Sequence, residues 1–387
     1  MEFINRFFHT PDISYFLFGP RGTGKSTFLK YTYHHALYLD LLSPDVFRLY
    51  SARPERLKEL IAGHPEKKIV IIDEIQKVPL LLDVVHQLME AHKQLRFILT
   101  GSSSRKLKRS GVDLLAGRAI FKTMHPFMAS ELQEGFHLDT ALKHGLLPVV
   151  VDSKAPEEVL NAYIALYLRE EVQMEGFVRR IGHFSRFLEA ISFSQGSILN
   201  ISEIARECQI GRKTVEGYLS VLEDLLLSFT VPVFSKRAKR LLTVHPKFYF
   251  FDAGVFRSLR PSGPLDTPSE IDGAALETLI AQHLRAWNEY GGSNNTLYFW
   301  RTRAGREVDF IVYGEDGIYA LEVKNSKTVR PHDLKSLRAF KEDYPQARLL
   351  LIYRGNERLK KENILCIPCE EFLMSLIPGK KLSGFSY

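Results

Sequence analysis

Cysteine is scarce in this chain: three in 387 residues, at positions 208, 366 and 369. So few cannot build a disulfide framework, and they suit a reducing cytoplasm. Cys366-Ile-Pro-Cys369 is a lone C-x-x-C with no second pair and no histidine beside it. It reads more readily as two small apolar residues around a strand end than as a zinc or redox site. Long apolar runs are missing too. Residues 146–151 and 231–234 are the longest short ones, each contains proline, and neither approaches a membrane span. The opening MEFINRFFHTPD has no basic region followed by an apolar one, so no secretory signal is expected. The expectation is a cytoplasmic protein with no membrane partner. Charge of neither sign dominates, and a net charge of +7 permits contact with nucleic acid without requiring it. With 45% hydrophobic and 25% charged residues, the chain can fill two or three ordinary domains.

What is present concentrates first in Tyr15 to Thr27, YFLFGPRGTGKST. An apolar run stops at Gly19, and Gly19-Pro-Arg-Gly-Thr-Gly24-Lys25-Ser26 fills G-x-x-x-x-G-K-[ST] ahead of a helix-compatible stretch. A phosphate-binding loop needs that order of strand, turn and helix. The backbone of Gly19, Pro20, Arg21, Gly22, Thr23, Gly24, Lys25, Ser26 and Thr27 would curl around the β-phosphate. Lys25 adds a point charge at the β/γ-phosphates, Ser26 ligates Mg2+, and the helix N-terminus faces the anion. ATP and Mg2+ are the expected cofactors.

The run Lys68-Ile-Val-Ile-Ile-Asp73-Glu74 reads as a strand buried on both faces, with two acids at its carboxyl end, where open α/β sheets bind ligands. Asp73 is placed as the Mg2+ partner and Glu74 as the base that polarises the attacking water. An acidic helix start after a strand is the bland alternative. Residues 79–91 form an amphipathic helix, and the strand at 95–100 ends in Gly101-Ser-Ser-Ser104. There Ser102 or Ser103 can sense the γ-phosphate, or simply make a Ser-rich turn. Arg105, Lys106, Lys108 and Arg109 read as a solvated surface. Arg118, before a strand at 119–123, is a candidate to approach the γ-phosphate in cis or as a finger into a neighbour in a homo-oligomer. Arg169 is the second choice, and either arginine can equally hold a carboxylate.

The set formed by the P-loop, IVIIDEIQ, FILTGSSS, LAGR and HPFMASEL resembles a group of bacterial and archaeal AAA-like ATPases. That resemblance implies a strand order 5-1-4-3-2 and a C-terminal domain of unknown function related to restriction endonucleases.

An apolar helical bridge covers residues 155–193. Then Asn200, with Glu203 three residues on, caps a helix at 202–208. Gln209-Ile-Gly211 turns the chain into a second helix with Val215, Tyr218, Leu219 and Leu222 on one face. This helix-turn-helix agrees with the resembled group, in which it implies a winged helix, with a wing from residues 227–233. On DNA, Arg212, Lys213 and Glu216 would face the groove and the basic run 236–240 the phosphates. Winged helices also serve as packing modules.

Residues 245–251 (HPKFYFF) read as a strand and 271–287 as a helix that sets Glu277 among apolar residues. Three strands follow, at 297–301, 307–313 and 318–324. If Tyr313 and Ile318 close the loop, Asp309 lies opposite Glu322, with Lys324 on the same face. The facing carboxylates need a positive partner. Either Lys324 serves alone, or a divalent metal sits on Asp309, Glu322 and the Val323 carbonyl, with Glu277 completing the set and Lys324 activating a water. Arg301, Arg303 and Arg306 can hold phosphate or merely cap the hairpin. The order Glu…Asp…Glu-x-Lys resembles the PD-(D/E)xK nuclease core.

The expected fold is therefore α/β. A P-loop NTPase parallel sheet occupies 1–140, a helical and winged-helix domain 141–240, and a small PD-(D/E)xK nuclease-like α/β domain 241–387. The expected activity is Mg2+-dependent ATP hydrolysis that controls binding or cleavage of nucleic acid, DNA above all. A DNA-binding regulator that does not cut, and a signalling scaffold whose C-terminal domain binds protein, are the competing outputs.

Overall fold

The computed structural model describes residues 3–102, 115, 117–168, 181–235, 245–264 and 266–385. Ser103, Arg169 and the basic runs at 105–109 and 236–240 lie outside the described residues. The chain divides into two compact units.

The first unit comprises Phe8–His125 with Val221–Leu227. In order it contains β1 (Tyr15–Phe18), α1 (Lys25–Thr32), β2 (Leu37–Asp40), α2 (Pro44–Ala52), α3 (Arg56–Ala62), β3 (Ile69–Asp73), α4 (Leu81–Ala91), β4 (Arg96–Gly101) and β5 (Ile120–Thr123). The strands pair in the order β2-β3-β4-β1-β5, and every pairing is parallel. This is the implied 5-1-4-3-2 order. Helices cover both faces, so the central strands are apolar throughout: Val70, Ile71, Ile72, Phe97 and Ile98 are all fully buried. Because β4 separates β1 from β3, the carboxyl end of β4 projects between the P-loop and the two acids.

The second unit comprises Met1–Phe7, Pro126–Ser220 and Ser228–Tyr387. Its helical portion includes α5 (Leu138–His144), α6 (Pro156–Ala162) and α7 (Ile181–Ser192). Next come β6 (Ser197–Ile198), α8 (Ile201–Cys208), α9 (Arg212–Asp224, of which this unit holds the part up to Ser220), β7 (Ser228–Val231) and β8 (Lys247–Phe250), with an antiparallel sheet ordered β6-β8-β7. Asn200 caps α8, its side chain accepting from the Glu203 N–H at 3.2 Å.

After α10 (Ala253–Leu259), the 24-residue α11 (Pro268–Gly291) forms the spine of this unit. Its buried polar residues each satisfy a group from elsewhere in the unit. Thr278 accepts from Gln195, Gln282 from the Ala253 N–H, and His283 Nε2 from the Ala129 N–H. Thus a helix too polar for a plain hydrophobic core is held by matched hydrogen bonds. The rest is β9 (Thr296–Arg301), β10 (Glu307–Gly314), β11 (Gly317–Lys324), α12 (Lys335–Asp343), β12 (Arg348–Tyr353), β13 (Leu359–Lys361), β14 (Ile364–Pro368) and α13 (Cys369–Ser375). They build a six-stranded mixed sheet, β13-β14-β12-β11-β10-β9. Phe234, just after β7, is buried in the core of this sheet with Trp300 and Phe340. All three cysteines are free and buried. Cys366 lies on β14 and Cys369 opens α13, and burial raises both thiols, so the C-x-x-C packs as apolar residues.

Candidate functional site

Glycine is required at three points of the P-loop. Gly22 and Gly24 have φ of 82° and 86°, and a Cβ on Gly19 would stand 2.5 Å from the Met124 carbonyl oxygen. Thr23 Oγ1 donates to the Pro20 carbonyl at 2.8 Å and ties the turn. Lys25 is buried, and its ammonium donates to the carbonyls of Gly19 at 2.6 Å and Pro20 at 3.2 Å. Those acceptors are neutral, and a phosphate offers the same ammonium stronger, charge-assisted bonds.

Asp73, at the end of β3, has both oxygens engaged: Thr100 Oγ1 donates to Oδ1 and the Tyr38 hydroxyl to Oδ2. Tyr38 also bonds Ser26, so the two residues expected at Mg2+ flank one hydroxyl. Burial first, then Asp73, raises the Tyr38 phenol well above its ordinary value, and it stays protonated as a donor. Glu74 takes a left-handed backbone (φ 61°, ψ 47°), a strain of ~1–2 kcal/mol for a residue with a side chain. Its N–H donates to Thr100 Oγ1 at 3.1 Å. Its carboxylate accepts from Gln76 Nε2 at 2.5 Å, and the same amide reaches Ser102 Oγ at 3.4 Å. A Cβ on Gly101 would meet Gln76 Oε1 at 2.5 Å, so that glycine makes room for the amide. Lys25, Ser26, Asp73, Glu74 and Ser102 thus converge at the carboxyl ends of three adjacent strands. Tyr38, Thr100 and Gln76 hold them and escaped the sequence reading. A tyrosine in the strand-like ALYLDLL, whose hydroxyl needs a partner, was the available signal. A loop that only glycine can form, with a hydroxyl and a carboxylate opposite, fits a Mg2+-nucleotide.

Arg118 stands elsewhere. It precedes Ile120, which pairs with Tyr15 at the start of β1, whereas the P-loop follows the far end of that strand. Its guanidinium pairs with Glu90 at the end of α4 and holds that carboxyl below its ordinary value. The cis role is therefore withdrawn, because the length of the sheet separates this arginine from its own loop.

In the second unit, the hairpin register is as expected: Phe310 faces Leu321 and Tyr313 faces Ile318. Asp309 Oδ2 accepts from the Val323 N–H at 2.8 Å. Lys324 Nζ donates to Glu322 Oε1 at 2.6 Å. A residue outside the expected set stands in the middle. Lys247, on β8, lies 3.0 Å from Glu277 Oε1, 2.5 Å from Glu307 Oε1 and 3.5 Å from Asp309 Oδ1. Tyr249 donates to Glu277 Oε1 at 2.5 Å. Burial alone would lower the Lys247 ammonium, but Glu277, Tyr249, Asp309 and Glu307 hold it well above its ordinary value. Burial raises Glu277 to about 7 against the pull of Lys247, and burial with Asp309 nearby raises Glu322 well above its ordinary value too. Among the described residues, no group of three or more His, Cys, Asp or Glu is disposed to hold a metal ion. As they stand, these carboxylates do not fit a divalent ion. Arg301 pairs with Glu307 at 3.0 Å, which accounts for one of the three hairpin arginines as a structural partner.

Comparison with known families matches three successive segments of the chain. Residues 12–133 match the family model of an AAA domain, 135–266 a domain of unknown function (DUF8612), and 272–372 another domain of unknown function (DUF4143). The chain thus carries a P-loop ATPase-like AAA domain ahead of a C-terminal domain of unknown function. An uncharacterised protein of Mycobacterium tuberculosis is 26% identical over 92% of this chain and 80% of its own length. One from Methanocaldococcus jannaschii is 24% identical over 92% and 84%, and one from Haemophilus influenzae 20% over 82% and 80%. A crystal structure of a Vibrio cholerae protein aligns with 84% of this chain and 93% of its own at 11% identity and a TM-score of 0.22, too low to argue from. No helix among the described residues is long and apolar enough to cross a membrane.

Proposed function

We propose that the first unit binds ATP with Mg2+ and hydrolyses it, and that its nucleotide state controls engagement of DNA by the second. The convergence of Lys25, Ser26, Asp73 and Glu74 on one edge of the sheet carries this reading. In it, Lys25 leaves the Gly19 and Pro20 carbonyls for the β/γ-phosphates, and Ser26 and Asp73 hold the metal. Bound Mg2+ supplies charge neutralisation at the phosphates. Glu74 accepts the proton of the attacking water, and Ser102 reports phosphate to Glu74 through the shared Gln76 amide.

The DNA half of the proposal is supported by the element order α7-β6-α8-α9-β7-β8, which is compatible with a winged helix, and by exposed Arg212, Lys213 and Glu216 at the start of α9. Cleavage is the second reading. The order α11-β9-β10-β11-α12-β12 with Glu277, Asp309, Glu322 and Lys324 around one centre favours it, and Lys247 opposes it.

The test measures phosphate release and nucleotide binding for the wild-type chain and Glu74→Gln. Retained ATP binding with hydrolysis reduced by about 10²–10⁴-fold is expected. Undiminished hydrolysis would remove Glu74 from its role. Plasmid retention that differs between ATP and ADP is expected from the coupled reading, and no retention in either state would move the output to a protein-binding scaffold.

A further inference from the structure

We propose that Lys247 is the resident cation of the C-terminal carboxylate centre, and that the folded chain thereby keeps this centre closed to divalent metal ions. The second unit would then grip its ligand without metal-dependent cutting. The inference goes beyond the proposed function and stands whether or not the first unit hydrolyses ATP.

The placement of Lys247 is the first observation. It sits on β8 beside Phe248, Tyr249 and Phe250, all fully buried, and is itself 1% exposed. A lysine there is tolerated only with full compensation, because an unpaired ammonium in such a position is very costly. Compensation is complete: an ammonium has three N–H donors, and three carboxylates from α11 and β10 surround this one. The Phe299 ring lies 5.6 Å from the nitrogen and presents its face to the cation. Gly196, at φ 64°, leaves room for Glu277; a Cβ there would stand 3.3 Å from that carboxylate. The backbone around the centre is thus shaped to the ammonium-bound arrangement.

The second observation concerns the oxygens. A hard divalent cation takes six or more oxygen ligands at about 2.0–2.6 Å. Here Glu277 Oε1 receives Tyr249 as well as Lys247, Asp309 Oδ2 receives the Val323 N–H, Glu307 Oε2 receives Arg301, and Glu322 Oε1 receives Lys324. Glu322 Oε2 is buried without a hydrogen-bond partner, and a few unclaimed oxygens do not make a coordination sphere of six. A metal ion entering as the chain stands would meet the ammonium of Lys247 in its place and that of Lys324 beside it. Lys247 comes from the three-stranded sheet, whereas its acids come from α11 and the six-stranded sheet. The same contact therefore bolts the two sheets of this unit together.

The experiment titrates Mn2+ into the full chain without nucleotide and follows the free-ion signal by electron paramagnetic resonance. Wild type and Asp309→Asn are expected to bind equally. Lys247→Ala is expected to gain one stoichiometric Mn2+, which Lys247→Ala/Asp309→Asn loses, and its melting temperature is expected to rise with Mn2+ while that of wild type does not. Stoichiometric Mn2+ on wild type that Asp309→Asn abolishes would overturn the proposal. So would a folded Lys247→Ala that takes up none. Should Lys247→Ala fail to fold, the wild-type and Asp309→Asn pair still decides the matter. Because Asp73 and Ser26 are intact in every variant, loss of ATP hydrolysis leaves these outcomes unchanged.

Discussion

Two buried lysines, one in each unit, sit at the two candidate centres and are held in opposite ways. Lys25 is 6% exposed and donates to two backbone carbonyls; Lys247 is 1% exposed and faces three carboxylates. A phosphate offers the Lys25 ammonium stronger, charge-assisted bonds than the backbone carbonyls of Gly19 and Pro20 do. Three carboxylates leave nothing for an anion to gain, and any metal cation would have to evict the lysine first. The same functional group thus meets backbone carbonyls in one unit and three carboxylates in the other.

The comparison breaks most visibly in stability. Lys247→Ala strips the counter-ion from buried Glu277, Glu307 and Asp309, and loss of one partner of a buried ion network costs ~3–5 kcal/mol. Lys25→Ala removes a donor from two carbonyls, costs no more than ~1 kcal/mol, and abolishes hydrolysis. Urea unfolding of both variants checks this, and equal losses would erase the distinction drawn between the lysines.

His283 sharpens the contrast from the neutral side. It lies on α11, as does Glu277, but its partners are the Leu279 carbonyl and the Ala129 N–H, and burial pushes its pKa down to about 4. The folded imidazole thus binds its proton less tightly than the unfolded one, whose pKa is about 6.5. Stability from this group is complete above 6.5 and is lost as pH falls from 6.5 towards 4, by up to ~3 kcal/mol. Glu277, at about 7, runs with the opposite sign, because its folded form takes up the proton first. The measurement is therefore the difference in unfolding free energy between wild type and His283→Gln across that window. The wild type should show the steeper decline, and parallel curves would mean that His283 carries no such penalty.

How much of this was legible in the sequence depended on how local each cause was. The P-loop is a property of eight consecutive residues, and its glycines announce the backbone they permit. The Asp309–Glu322 hairpin was legible because a strand has period two and a short loop fixes which residues face; Phe310 opposite Leu321 follows. Lys247 was not legible as a partner of Glu277, 30 residues away, and Asp309, 62 residues away, since nothing in the chain's local pattern brings β8 to α11 and β10. Only its presence inside the apolar HPKFYFF hinted that a buried charge required acids from elsewhere. β12 to β14, α12 and α13 went unread, though they supply half of the six-stranded sheet.

The smallest predicted effect falls on Arg118. An arginine ahead of a strand in a P-loop protein invites a catalytic role, but β1 and β5 run parallel in register, Tyr15 beside Ile120 and Phe18 beside Thr123. That register fixes which end of the sheet each neighbouring segment occupies. The loop that leaves Phe18 lies at the carboxyl end, and the turn carrying Arg118 lies at the amino end with the last turn of α4. Its partner, Glu90, is itself a surface residue, half exposed, and pairs of this kind contribute little. Arg118→Ala should therefore change ATP hydrolysis by less than about twofold in dilute solution, where each chain works alone. Measured against protein concentration, the ratio of variant to wild-type rate should stay flat. A ratio that falls as the concentration rises would assign Arg118 to the nucleotide of a neighbouring copy.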